Sequence, residues 1–143
     1  HRASTPLELL YDLTIVVGFG TDEFPAFYTR CSGLRLEHHC DTPEELARVL
    51  ATRWALGQGG VLVANPIPHD AELPAAQMSG AIDDALSSAA RQGISGRALT
   101  PFLLAELARL TRGASVAANR ALALNNVRLG AQLARTWAHC GSA

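Results

Sequence analysis

The chain of 143 residues contains no lysine; its twelve basic residues, histidine aside, are all arginine. A guanidinium keeps its proton at any working pH. No side-chain amine is therefore present to form a Schiff base with a carbonyl. A basic excess is also lacking, because the formal net charge is −1. That excludes nucleic-acid binding driven by bulk electrostatics. No apolar run approaches the roughly 18 residues of a membrane span, the best being Leu13 to Gly20. The first residues lack the charged, apolar and small-residue sequence of a secretion signal. Cysteine is scarce: Cys31, Cys40 and Cys140 are odd in number and lack a CxxC spacing. Neither a disulfide framework nor a structural zinc site is expected. These absences together predict a cytoplasmic protein with reduced cysteines, without nucleic-acid or membrane partners.

The residues that are present fit one domain with a buried core, since 48% are hydrophobic and 17% charged. Residues 6–12 predict a short helix with Pro6 in its first turn. Leu13 to Phe19 is a β-branched apolar run closed by Gly18 and Gly20, the pattern of a buried parallel strand. A polar and aromatic loop, Thr21 to Gly33, leaves its carboxyl end, and Leu34 to His39 predicts a short strand. Thr42, Pro43 and Glu45 form a capping box ahead of Leu46, Val49, Leu50 and Trp54 at helical spacing. Val61 to Ala64 is a second buried strand, stopped by Asn65-Pro66-Ile67-Pro68. A helix follows from about Pro74 to Gln92, with Ile82, Ala85, Leu86 and Ala89 inward and Asp83 and Asp84 outward. Another opens at Thr100-Pro101, and Ser115 is expected to cap the last, which runs to about Ala138. Helices following strands define an α/β class. Two clear strands and four helices make a thin sheet, so the expectation is a partial α/β/α layered domain with few parallel strands.

Several polar groups are candidates for chemistry. Asn119 and Asn126 are seven residues apart, two helical turns, and share a face with Leu122, Ala123 and Leu129. A carboxamide in an apolar stripe needs hydrogen-bond partners. Two readings fit: an amide tying down a neighbouring loop, or one offered to a ligand with matching edges, such as a nucleobase. Asn65 stands where a parallel strand ends, the edge at which ligands collect in open α/β sheets. Asp22 and Glu23 occupy the same edge and suit an acid, base or metal ligand, or simply solvated or helix-capping carboxylates in a loop. His38-His39-Cys40-Asp41 has metal-ligand types, but strand neighbours point to opposite faces and cannot close on one ion. Gly57-Gln58-Gly59-Gly60 precedes a strand instead of opening a helix, which excludes a phosphate loop. Trp54 and Trp137 are expected in the core or an interface. No serine nucleophile elbow is present.

Five segments together resemble one family. They are Val16 to Arg30 (VVGFGTDEFPAFYTR), Asp41 to Glu45, Gly59 to Pro68 (GGVLVANPIP), Thr100 to Thr111 (TPFLLAELARLT) and Ser115 to Leu129, in order and with family-like spacing. The chain from Val16 onward resembles the C-terminal half of pseudouridine-5′-phosphate glycosidases. That resemblance implies an α/β/α fold, usually assembled as a homotrimer. It also implies cleavage of the C–C glycosidic bond of pseudouridine 5′-phosphate to uracil and ribose 5-phosphate. In the family a lysine opens the sugar as a Schiff base, a glutamate moves protons, and a manganese ion is held through an aspartate and waters. The SxxxN motif falls on Ser115 and Asn119, which makes Asn119 the uracil contact; Asn126 and Asn65 are further substrate-binding candidates.

The departure from the family lies in the reactive groups. Its lysines, glutamate and metal-binding aspartate belong to the N-terminal half, so neither a catalytic residue nor a metal ligand is expected in this chain. The resemblance therefore predicts a truncated homologue with little catalysis of its own. A non-catalytic binding or assembly module working beside a complete paralogue is the alternative. Residues 1–15 are set apart from 16–143, because Arg2 to Leu13 resembles the start of low-temperature-requirement-A membrane proteins. A fusion and a diverged family helix both fit that segment.

Overall fold

The computed structural model describes residues 14–140; the helix expected over 6–12 lies outside them. Three strands form one parallel sheet: β1 (Ile15–Phe19), β2 (His38–Cys40) and β3 (Val61–Ala64), in the order β2-β1-β3. Val17 pairs with His38 on one side and Val63 on the other. Four helices follow: α1 (Pro43–Ala55), α2 (Ala75–Arg91), α3 (Leu99–Leu110) and α4 (Ala114–Cys140). The α/β class, with few parallel strands and four helices, is thus the observed architecture.

Alternation along the strands sends Ile15, Val17, Phe19, Val61 and Val63 to one face. There they pack with Cys40, with Leu46 and Val49 of α1, and with Leu133 of α4. The opposite face carries Leu62, half exposed, so helices α1 and α4 cover the sheet from one side. A second cluster lies beyond the strands' carboxyl ends. It joins Tyr28 and Ile67 from loops to Met78 and Ala85 of α2, Leu107 of α3 and Ala118 of α4.

Local differences from the sequence reading have physical causes. The strand expected over 34–39 is displaced to His38–Cys40. Residues 34–36 instead fold back antiparallel on 22–24, with Phe24 N–H donating to Leu34 O and Leu36 N–H to Asp22 O, both at 2.8 Å. The inward stripe of α2 is Met78, Ala81, Ala85 and Ala89, while Ile82 and Leu86 lie one position round the helix and stay exposed. Helix α3 begins at Leu99, fed by a 3₁₀ turn over Gly96–Ala98. Ser115 does not cap α4. It is buried inside the first turn, and its N–H donates to Thr111 Oγ1 at 3.0 Å, so Thr111 supplies the acceptor a cap would.

The capping box of α1 is present. Glu45 N–H donates to Thr42 Oγ1 (3.2 Å), and Glu45 Oε2 accepts from the N–H groups of Asp41 (2.9 Å) and Thr42 (3.3 Å). The Asp41 N–H foremost holds the Glu45 carboxyl below its ordinary range. A depressed folded pKa stabilises the fold above the unfolded value and loses that contribution as pH falls through the folded one. Thr42→Ala should cost about 1 kcal/mol. Glu45→Gln should flatten the acid side of a Tm–pH profile while leaving its neutral-to-alkaline slope unchanged. At the far ends of α1 and α4, Trp54 and Trp137 meet edge to face, centroids 4.8 Å apart, but both are exposed, so neither is a core residue of this chain.

Candidate functional site at the carboxyl edge of the sheet

Two loops leave the carboxyl ends of β1 and β3 and clasp each other. The Arg30 N–H donates to Glu72 Oε1 (2.7 Å), Arg30 Nη1 to Ile67 O (2.6 Å), and Leu73 N–H to Tyr28 O (3.0 Å). The β1 loop starts at Gly20, whose φ of +62° suits glycine. Tyr28 is buried, packs edge to face on Phe27, and hydrogen-bonds Ser115 in the first turn of α4. Burial pushes its hydroxyl pKa up, partly offset by that Ser115 bond. The two loops and the start of α4 therefore form one body.

The carboxylates of this edge are held within their own loop. Asp22 Oδ2 accepts from Arg35 Nη1 at 3.0 Å, and Glu23 Oε2 accepts from Gly33 N–H at 2.9 Å. The structure thus favours the loop reading of both residues. Among the described residues no three His, Cys, Asp or Glu side chains converge as a metal ion requires.

The asparagines behave differently. Asn65, one residue past β3, donates from Nδ2 to Asn126 Oδ1 at 2.9 Å. Asn125 donates from Nδ2 to Asn65 Oδ1 (3.3 Å) and to Pro66 O (3.1 Å). So Asn65 and Asn126 come together, and Asn125, which the sequence reading missed, completes the group. Its signal lay in the spacing: Leu122, Asn125 and Leu129 stand at i, i+3 and i+7, which places Asn125 beside the apolar stripe, on the flank opposite Asn126. Asn119 lies on α4 two turns before Asn126; it is exposed, and its side chain makes no hydrogen bond among the described residues. The tie is observed at Asn65, Asn125 and Asn126, while the Asn119 carboxamide is exposed. A small cavity of about 170 Å³ adjoins Asn65 and Asn126, floored by Leu46, Val63 and Leu133.

The parallel sheet, with loops and a helix joined at its carboxyl edge, places the chain in the α/β class. The chain belongs to the indigoidine synthase A like protein family, whose sequence model matches residues 4–136. It is 57% identical over 123 residues to the pseudouridine-5′-phosphate glycosidase of Rhodospirillum centenum, covering 85% of this chain and 38% of that one. The corresponding enzyme of Caldanaerobacter subterraneus subsp. tengcongensis is 50% identical over 120 residues, with 83% and 39% covered. Among solved structures, the prealnumycin C-glycosynthase AlnA in complex with ribulose 5-phosphate superposes with a TM-score of 0.80 at 28% identity, covering 90% of this chain and 43% of that one. An indigoidine synthase A-like protein of Thermotoga maritima gives a TM-score of 0.75 at 31% identity, covering 90% and 41%. The resemblance to pseudouridine-5′-phosphate glycosidases is therefore borne out. The chain spans about two-fifths of the length of the curated relatives it matches. No helix among the described residues is long and apolar enough to cross a membrane.

Proposed function

We infer that this chain carries the base-binding part of a pseudouridine 5′-phosphate site, with Asn119 as the uracil contact, and that the chain alone does not cleave the glycosidic bond. One observation carries the binding half of this reading. The carboxamide of Asn119 is exposed and uncommitted on a helix that Asn125 and Asn126 fasten to the carboxyl end of β3. An asparagine offers an adjacent donor and acceptor, which match the N–H and C=O edge of uracil. The relatives' activity names the substrate class, and the sugar phosphate bound by the neighbouring C-glycosynthase fits it.

The absence of any lysine carries the second half. Opening the sugar as an imine needs an unprotonated primary amine, which no arginine provides. Manganese belongs to this reading as the family's metal, but the described residues do not fit it. The carboxylates of the β1 loop, Asp22 and Glu23, are engaged by Arg35 and Gly33, so no step is routed through a metal here. A cytoplasmic homo-oligomer, a trimer as in the family, is part of the proposal. The half-exposed Val116, Leu124 and Val127 on α4 offer apolar surface for such contacts.

The test uses the purified chain. Pseudouridine 5′-phosphate with manganese should give no uracil release and no borohydride-trapped ribose adduct. Uracil should nonetheless bind, and Asn119→Ala should weaken it about tenfold, the effect of losing paired hydrogen bonds. A trapped adduct on the isolated chain would overturn the catalytic half. Uracil binding that is absent, or indifferent to Asn119→Ala, would overturn the binding half.

A further inference from the structure

The asparagine group has a polarity, and the backbone sets it. Pro66 has a carbonyl and no N–H, so it can only accept. Asn125 must therefore turn Nδ2 toward Pro66 O, as it does at 3.1 Å. The same Nδ2 faces Asn65, so the atom of Asn65 on that side is the acceptor Oδ1. Asn65 is left with Nδ2 toward Asn126, which must answer with Oδ1, at 2.9 Å. The carboxamide of Asn126 is thereby oriented with Nδ2 directed away from the network. Asn126 is exposed, and its amide hydrogens are outward donors.

A tether alone does not call for this chain. Asn125 already joins α4 to the loop at Pro66, whereas the Asn65–Asn126 bond adds orientation to a surface side chain that would otherwise present either edge. The oriented donor stands at the carboxyl edge of the sheet, on the same side of α4 as Asn119. Seven helical residues rise about 10 Å. That is the order of the reach from a uracil edge to the 5′-phosphate of its nucleotide.

We propose that Asn126 is a second ligand contact, donating from Nδ2 to a phosphoryl oxygen, and that Asn65 is the positioning residue that orients it. This assignment rests on Asn119 being the base contact, so the two are tested with separate ligands. Side-chain amide NMR spectra of the full chain are recorded with uracil and with ribose 5-phosphate. Ribose 5-phosphate should move the Asn126 amide and uracil the Asn119 amide. Asn126→Ala and Asn65→Ala should each weaken ribose 5-phosphate binding about tenfold, and weaken it more than they weaken uracil binding. The double variant should bind no worse than Asn126→Ala alone, because Asn65 acts through Asn126. Asn65→Asp gives an independent check. It still accepts from Asn125 but draws Asn126 Nδ2 inward, which should slow hydrogen exchange at that amide and abolish ribose 5-phosphate binding.

Ribose 5-phosphate that does not bind, or that leaves the Asn126 amide unmoved, overturns the proposal. So do single-variant losses that multiply in the double variant, or an Asn65→Asp chain that binds normally. Uracil failing to move Asn119 while ribose 5-phosphate moves Asn126 would overturn the base-contact reading alone.

Discussion

Replacing Gly18 by alanine should destabilise the chain by about 3 kcal/mol or more, at the upper end of what overpacking costs. A Cβ at Gly18 would lie 2.1 Å from the carbonyl oxygen of Thr21 and 2.9 Å from Leu36 Cδ1. The leucine can rotate away. The carbonyl cannot, because Thr21 sits in the turn that brings the chain back over the end of β1. That turn is fixed on both sides: Gly20 N–H donates to Cys40 O at 2.9 Å, and Thr21 Oγ1 both donates to Glu23 O and accepts from Glu23 N–H. Relief requires moving β1 against both neighbours or opening the turn that starts the site loop. For a domain of this length the loss corresponds to a fall in Tm of about 10 °C. Gly20→Ala is the informative comparison. Gly20 has the left-handed φ, yet nothing lies within 4 Å of its added Cβ, so its cost is the conformational one, about 1–2 kcal/mol. The expected order, Gly18 worse than Gly20, is the reverse of what backbone angles alone suggest. Calorimetric melts of the two variants decide it. Equal Tm values would mean that the Thr21 carbonyl is free to move.

The contrast between those glycines shows what was readable from sequence and what was not. Gly18 and Gly20 mark the end of an apolar run, and the strand they close is where the pattern places it. Elements with their own local signals emerged correctly: α1 from its capping box, β3 from VLVA between glycines and prolines, and α2 to within a residue at each end. Features that depend on partners distant in sequence did not. Residues 34–36 have strand-like composition, but they pair with 22–24 and not in the sheet, and nothing local distinguishes the two pairings. Ser115 has the chemistry of a cap. Its place was decided by Thr111, whose hydroxyl reaches the Ser115 N–H first. At the site, the carboxyl-edge position of Asn65 was legible, because strand ends are local; its approach to α4 was not. Which asparagine is tied to the loop and which stays exposed was not, because the choice depends on the Pro66 carbonyl 59 residues away from Asn125.

Ile67→Ala should cost about 2–5 kcal/mol, although the residue lies in a loop, where exposed substitutions usually stay within about 0.5 kcal/mol. Ile67 is 1% exposed and packs with Tyr28, Met78, Leu107 and Ala118, so one loop side chain holds three helices and the β1 loop together. Its flanking prolines, Pro66 and Pro68, fix φ on either side and limit how far the loop can collapse into the void. Little relaxation means the cavity term is paid nearly in full. The backbone at this point also serves the site, because Ile67 O accepts from Arg30 and Pro66 O accepts from Asn125. Loosening the loop should therefore weaken ligand binding as well as stability, whereas Ile67→Val should cost about 0.5–1.5 kcal/mol and leave binding intact. Urea unfolding followed by circular dichroism measures the first effect as a lower midpoint at unchanged slope. Uracil titration measures the second. A loss below about 1 kcal/mol for Ile67→Ala, outside the range for a closed core, would show that the loop is not anchored. The asparagine network would then have no rigid carbonyl from which to take its polarity.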